Sequence, residues 1–222
     1  MNPSNLENPA ASLDQMIGQQ VRTCDVLDPR VLGAMHRVPR ERFVSESWRS
    51  LAYADCALPL PLGKHMLTPM IVGRILQALE PEPGESALEI GTGSGYLSAC
   101  LAAMGARVRS LELHEEIAQF ARRNLRSAGS FEVEVETADG AGLAVEDAYD
   151  AIVLTGSLPI YDQRYARALK RGGRLFVVVG QAPVMEARIV RRLAVSDYSS
   201  AALFETSIEA LENVPVPPAF RF

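Results

Sequence analysis

Apolar positions change period partway along the chain, and the change separates a helical front from an alternating strand–helix remainder. Residues 1–12 are small and polar with two prolines, which predicts a flexible arm. From Leu13 the pattern is that of short helices. Asp28 before Pro29 predicts a helix start, because Asp accepts from the free N–H groups of a first turn and Pro fits there. Val31, Leu32, Met35 and Val38 follow at helical spacing until Pro39 stops the run. Ser45 predicts a cap on another short helix carrying Trp48 and Leu51. Residues 53–63 hold two prolines and end in glycine, which predicts an extended loop. Thr68-Pro69 repeats the cap-and-proline signature, and Ile71, Val72, Ile75, Leu76 and Leu79 form the apolar stripe of the helix it opens.

After Pro83-Gly84 strands and helices alternate. Ala87–Ile90 and Arg107–Leu111 read as strands, with Tyr96–Met104 as the helix between them. Glu115–Ala128 reads as a helix closed by Gly129, and Phe131–Thr137 alternates with period two, as a strand does. Ala151–Leu154 is an apolar strand, Asp162–Leu169 a helix, and Gly172-Gly173 turns into the β-branched run Arg174–Val179. Residues 187–195 and 201–211 predict a closing strand pair, followed by an extended tail in which burial of Phe220-Arg221-Phe222 against the sheet is expected. Such alternation predicts an α/β fold: a Rossmann-like, doubly wound, mostly parallel sheet with helices on both faces and an N-terminal helical extension. The expected organisation is one domain over 13–222, with the helical segment over 13–80 and the α/β core over 81–222.

At 222 residues and 48% hydrophobic, the chain is large enough for such a core. A net charge of −5, spread without single-sign blocks, argues against a nucleic-acid partner. The N-terminus has neither a basic segment nor an apolar one, and no apolar run reaches the ~18 residues that span a bilayer, so no membrane partner and a cytoplasmic location are expected. Cys24, Cys56 and Cys100 are far apart and form no C-x-x-C pair, and no His/Cys/carboxylate cluster has ligand spacing, so no metal site is expected.

The chemistry concentrates at LEIGTGSGY, residues 88–96, on a strand-to-helix junction. Glycines there let the backbone turn tightly and approach a ligand, and the helix start offers free N–H donors. Tyr96 occupies the sixth place of the dinucleotide fingerprint, which tells against a nicotinamide cofactor. Glu89, just before the glycines, suits a cationic ligand better than a pyrophosphate, and S-adenosylmethionine carries both a sulfonium and an ammonium. Glu112 ends the next strand about twenty residues on, where a carboxylate can accept from both ribose hydroxyls. Asp139-Gly140 follows the third strand, where the Asp can accept from an adenine amino group; an ordinary Asp-Gly turn is the alternative. Thr155-Gly156-Ser157 leaves the fourth strand, at the end of the sheet where such folds bind ligands. The expected cofactor residues are Glu89, Gly91, Thr92, Gly93, Gly95, Glu112, Leu113, Asp139, Gly140 and Thr155.

Together these residues resemble the protein-L-isoaspartate O-methyltransferase family, over roughly residues 16–180. The shared pieces include LEIGTGSGY, Ala138-Asp139-Gly140, Tyr149–Val153 and Leu169–Leu175, which recur widely among methyltransferases. More specific are Met16–Arg22, Asp28–Leu32, Met35–Val44, Tyr53-Ala54-Asp55 and Leu58–Gly63. The resemblance implies S-adenosyl-L-methionine as cofactor, S-adenosyl-L-homocysteine as product, and isoaspartyl residues of damaged proteins or peptides as substrate. It also places the substrate loop at Gly63-Lys64-His65-Met66-Leu67-Thr68-Pro69. The family loop reads Gly, Gln-Thr-Ile-Ser-Gln, Pro. Leu67 therefore stands where the family keeps a substrate-contacting serine, and His65 where it keeps threonine. Leucine supplies no hydrogen bond. Thr68 could offer a hydroxyl or merely cap the following helix.

A carboxylate acceptor is ionised at neutral pH and needs no general base. For a phenol, alcohol or amine a base helps, and His65 is then the candidate. His65, Met66, Leu67 and Thr68 are the expected substrate residues. Two alternatives to isoaspartyl methylation stay open at this point: a diverged methyltransferase with another, small-molecule acceptor, and a protein that binds S-adenosylmethionine without turnover. The sequence leaves the oligomeric state unknown.

Overall fold

The front of the chain folds as helical turns that Asp, Thr and Pro punctuate. A computed structural model describes residues 9–218. Helix α1 (Pro9–Gln15) runs into a π-helical turn, Met16–Val21, and a 3₁₀ turn, Arg22–Cys24. Helix α2 (Pro29–Arg37) starts as expected, with Asp28 accepting from the Arg30 N–H at 2.7 Å. Two 3₁₀ segments follow, Arg40–Phe43 and Glu46–Leu51. The stretch expected to be an extended loop carries strand β1 (Leu58–Pro59), and β1 pairs antiparallel with β2 (His65–Met66). This two-stranded pairing bends the glycine-containing loop back on itself. Helix α3 (Pro69–Leu79) is capped by the Thr68 hydroxyl, which accepts from Ile71 N–H at 3.4 Å. Its stripe, Ile71, Val72, Ile75, Leu76 and Leu79, is buried, each side chain contributing ~1.5–3 kcal/mol of transfer free energy.

The remainder builds β3 (Ser86–Ile90), α4 (Tyr96–Ala103), β4 (Arg107–Glu112), α5 (Glu115–Ala128), β5 (Glu134–Thr137), β6 (Tyr149–Leu158), α6 (Arg164–Arg167), β7 (Leu169–Gln181), β8 (Val184–Ala194) and β9 (Asp197–Glu205). Seven strands pair in the order β5-β4-β3-β6-β7-β8-β9. Those from β5 to β7 are parallel, and β8 and β9 close the sheet antiparallel. The chain winds outward from β3 to β5, then returns to lay β6 on the other side of β3. This reversal opens a crevice beyond the carboxyl ends of β3 and β6.

Alternate residues of the strands feed two cores. Ala87, Val108, Ala151, Val153, Phe176 and Val178 join the side chains of α2, α3 and α4. Leu88, Ile90, Leu111, Ile152, Leu154, Leu175 and Val177 join Tyr165 and Ala166 of α6 on the opposite face. The sheet is thus wound on both faces, but the second face has little helix, and Leu143, Leu211 and Val214 pack there from irregular chain.

The structure moves several sequence-based boundaries. Of the expected arm, residues 9–12 belong to α1, and residues 1–8 lie outside the described residues, as do the tail residues 220–222. Phe131 is 78% exposed and precedes β5, which begins only at Glu134. The expected helix over 162–169 contracts to α6, with Asp162 accepting from Arg164 N–H at 2.9 Å. The closing strand pair lies earlier than expected, over 184–194 and 197–205, and residues 206–211 leave the sheet. Where they go bears directly on the site.

Candidate functional site

The loop from β3 to α4 runs through three left-handed glycines. Gly91 has φ of 92°, and a side chain there would collide with the Thr155 hydroxyl. Thr155 Oγ1 donates to the Gly91 carbonyl at 2.6 Å or the Ile90 carbonyl at 3.0 Å, so β6 braces the glycine turn. Glu112, at the end of β4, is held from both sides: its Oε2 accepts from Gly93 N–H at 3.0 Å and its Oε1 from His114 N–H at 3.2 Å. Each carboxylate oxygen keeps a lone pair for a further donor. Asp139 accepts from Ala141 N–H at 2.8 Å through Oδ1.

Two adjoining cavities meet at this loop. The outer cleft, about 740 Å³ and open to solvent, is lined by Gly91, Gly93, Glu112, Leu113, Asp139, Gly140 and Thr155. The inner cavity is lined by Glu89, Gly91, Thr92, Gly93 and Thr155, with Met66, Leu67, Val72, Tyr96 and Leu97 as its apolar wall. His65 borders both cavities and is itself exposed. Of the expected site residues, Gly95 and Thr68 line neither. Gly95 caps α4 in the left-handed conformation and faces the side chain of Leu125. Thr68 serves α3 as its cap. Asp150 lies at the opposite end of the sheet, bonded to Ser86 and Lys170.

Glu89 is fully buried. Its Oε2 accepts from the Ser110 hydroxyl at 2.6 Å and from Ser98, while its Oε1 has no hydrogen-bond partner. Burial pushes its pKa up to about 7, against the two hydroxyl bonds that pull it down, and the nearby Glu112 charge adds to the rise. A buried carboxylate with one free oxygen on a cavity wall is suited to a cation.

Sequence reasoning missed the other wall of the outer cleft. After β9 the chain crosses in front of the sheet, and Glu209, Ala210, Leu211 and Glu212 line the cleft. This strap is tied to β6 by Ser157 N–H donating to the Glu209 carbonyl (2.9 Å) and Leu211 N–H donating to the Ser157 carbonyl (3.0 Å). Side chains pin it elsewhere. Lys64 Nζ lies 2.5 Å from Glu209 Oε1 and 2.9 Å from Glu212 Oε1, and His114 Nε2 lies 2.8 Å from Glu212 Oε1. The Asn213 amide donates to Asp139 Oδ2 at 2.9 Å. Bonds to the two glutamates hold the Lys64 pKa above its ordinary value, and those from His114 and Lys64 hold Glu212 below its own. Lys64 in the loop was the one sequence signal available; its partners lie about 145 residues away.

Among the described residues no group of three or more His, Cys, Asp or Glu is placed to hold a metal ion. No helix among them is long and apolar enough to cross a membrane.

Comparison with known proteins adds a sequence family and a fold. Residues 11–207 match the family model described as protein-L-isoaspartate(D-aspartate) O-methyltransferase, a stretch that ends just before the strap. A protein-L-isoaspartate O-methyltransferase from Koribacter versatilis is 39% identical over 181 residues, covering 81% of this chain and 82% of its own. A protein-L-isoaspartate O-methyltransferase 2 from Pelobacter propionicus is 41% identical over 205 residues, covering 91% of each. The crystal structure of a candidate protein-L-isoaspartate O-methyltransferase from Plasmodium falciparum, in complex with S-adenosyl-L-homocysteine, superposes with a TM-score of 0.79 at 18% identity, over 92% of this chain and 98% of its own.

Proposed function

Because the chain belongs to the protein-L-isoaspartate(D-aspartate) O-methyltransferase family, we infer that it transfers a methyl group from S-adenosyl-L-methionine to the free carboxylate of L-isoaspartyl residues in proteins or peptides, releasing S-adenosyl-L-homocysteine. The observation that carries the cofactor half of this reading is Glu89 Oε1, a carboxylate oxygen without a partner on a buried residue that lines the inner cavity. A cationic ligand supplies what that oxygen lacks.

The residues present fit the cofactor. Glu89 faces its cationic end, Gly91 and Gly93 bring main chain against it, Glu112 takes the ribose hydroxyls, and Asp139 with Gly140 borders the adenine. Thr92 acts behind Glu89, its hydroxyl 2.6 Å from that of Ser110. Leu113 and Leu211 supply apolar walls on the outer cleft. When bound, S-adenosyl-L-methionine supplies an electrophilic methyl on a sulfonium.

With the cofactor's cationic end at Glu89, the acceptor takes the remainder of the inner cavity, along its apolar wall. Its wall of Met66, Leu67, Val72 and Leu97 is apolar, which strips water from an incoming carboxylate. An isoaspartyl carboxylate, with a pKa near 4, is already ionised, so the site has to orient it rather than deprotonate it. His65 at the mouth is accordingly a contact residue and not a base. Three free cysteines suit a reducing compartment, and we place the reaction in the cytoplasm.

One observation favours a second reading, another acceptor for the same methyl transfer: the Leu67 side chain lines the inner cavity and supplies no hydrogen bond. Incubation with labelled cofactor and an isoaspartyl peptide separates the two. The first reading expects label on the peptide that mild base releases as methanol, as a methyl ester requires. Absence of label, with cofactor bound, would overturn it in favour of the second.

A further inference from the structure

Arg40 is fully buried, and among the described residues no carboxylate lies within ion-pair distance of it, Asp55 acting on it only from farther off. Its Nε donates to the Ala52 carbonyl at 2.9 Å and its Nη2 to the Leu67 carbonyl at 2.7 Å. Its Nη1 has no hydrogen-bond partner, and the guanidinium lies over the Tyr96 ring, 4.9 Å from the centroid. Burying a cation this way is costly, since two neutral carbonyls and a ring face replace its hydration. A methionine of similar length would fill the space without that cost.

The partners of Arg40 show what the cost supports. Leu67 belongs to the loop between β2 and α3, and its side chain lines the inner cavity. Tyr96 is the first residue of α4, directly after the glycine turn, and lines the same cavity. Ala52 ends the 3₁₀ segment Glu46–Leu51, which leads into β1. Arg40 therefore joins the loop after β2 to the first residue of α4, the helix that follows the glycine turn. Phe43, from the same turn as Arg40, meets the Tyr96 ring edge-on at 5.5 Å and steadies the stack.

We propose that Arg40 is a positioning residue for the acceptor: through the Leu67 carbonyl it fixes the loop 64–68 against Tyr96, and so sets where the acceptor stands relative to the methyl group. The proposal rests on the methyltransferase reading above. It concerns the loop backbone, so it holds whether or not the Leu67 side chain itself touches the substrate. Nothing in it requires Arg40 to touch either substrate.

Two variants test it, Arg40→Met and Arg40→Lys, each in the full chain. Calorimetry with S-adenosyl-L-homocysteine, methyl transfer to an isoaspartyl peptide, and amide hydrogen exchange over residues 64–68 are measured together. In Arg40→Met, loss of a charge-assisted hydrogen bond at the loop is expected to raise KM for the peptide by ~10-fold or more. Affinity for S-adenosyl-L-homocysteine should stay within about twofold, and exchange at 64–68 should quicken. Arg40→Lys, which keeps the charge and can hold one carbonyl, should recover part of both changes and covers the case in which Arg40→Met does not fold. A fall in cofactor affinity and thermal stability, with peptide KM and loop exchange unmoved, would overturn the proposal and leave Arg40 a packing residue. If the wild type binds cofactor but does not methylate the peptide, the isoaspartyl reading fails, and loop exchange in the variants still decides the role of Arg40.

Discussion

The residue on which most turns is Glu89. Its folded pKa of about 7 stands above the ordinary carboxylate value of 4.5 because burial penalises the charged form. The sign of the linkage follows. A raised pKa means the folded protein holds the proton more tightly than the unfolded chain, so the stabilisation is fully present below the ordinary value and is lost as pH rises through about 7. Glu89→Gln removes that slope. Thermal melts of the unliganded pair should therefore show the wild type losing stability relative to Glu89→Gln as pH rises through this window; parallel curves would contradict the assignment. A cationic ligand favours the ionised form, so cofactor binding just below pH 7 should release a proton, seen by calorimetry in buffers of differing ionisation heat. The place of Glu89 beside the glycine turn was legible in the sequence, since it stands two residues before Gly91 at the end of an apolar strand. Its lack of a second partner was not legible, since Ser98 and Ser110 reach it from α4 and β4.

At the scale of elements, two short segments carry distinct predictions. Thr68 caps α3 and lines neither cavity, so Thr68→Ala should cost ~1 kcal/mol of stability, measured by denaturant unfolding, with methyl transfer unchanged once the protein is folded. A selective rise in peptide KM would instead return Thr68 to the substrate residues. The strap over 209–213 is the other segment. Its ion pairs are partly exposed, Lys64 at 27% and Glu209 at 52%, so each is worth little alone. Leu211, which packs beside Gly156 on the cleft wall, should matter more. Leu211→Ala is expected to weaken cofactor binding by ~3- to 10-fold, chiefly through faster dissociation, for about 1 kcal/mol of lost contact. An unchanged dissociation rate would mean that the strap does not cover the bound cofactor. The helices at 29–37 and 69–79 and the strands at 86–90 and 107–112 follow from local caps and periodicity, and so were readable in advance. The pattern over 201–211 carries the strand expectation into the first residues of the strap, because the strap's path is set by Ser157, Lys64, His114 and Asp139, all remote in sequence.

For the whole molecule, the winding order decides where the crevice opens. The return from β5 to β6 places the ends of β3, β4 and β6 around one crevice, and the N-terminal helices bring the loop 63–69 to its inner side. Strand–helix alternation was enough to anticipate this sheet and the end at which its crevice opens, since parallel strands joined by right-handed crossovers leave few alternatives. The acceptor side was less legible: β1 pairs with β2 through residues that carry no strand signal, and Arg40, Leu67 and Tyr96 meet only in the folded chain. Under the proposed reading the outer cleft takes the cofactor and the inner cavity, which Leu67 lines, takes the acceptor. The decisive measurement is the ratio of kcat/KM for methyl transfer to an isoaspartyl peptide and to its aspartyl twin, in the wild type and in Leu67→Ser. The account predicts transfer to the isoaspartyl peptide alone in the wild type, with Leu67→Ser keeping that preference. Equal rates on both peptides, or no transfer to either by wild type that binds the cofactor, would contradict it.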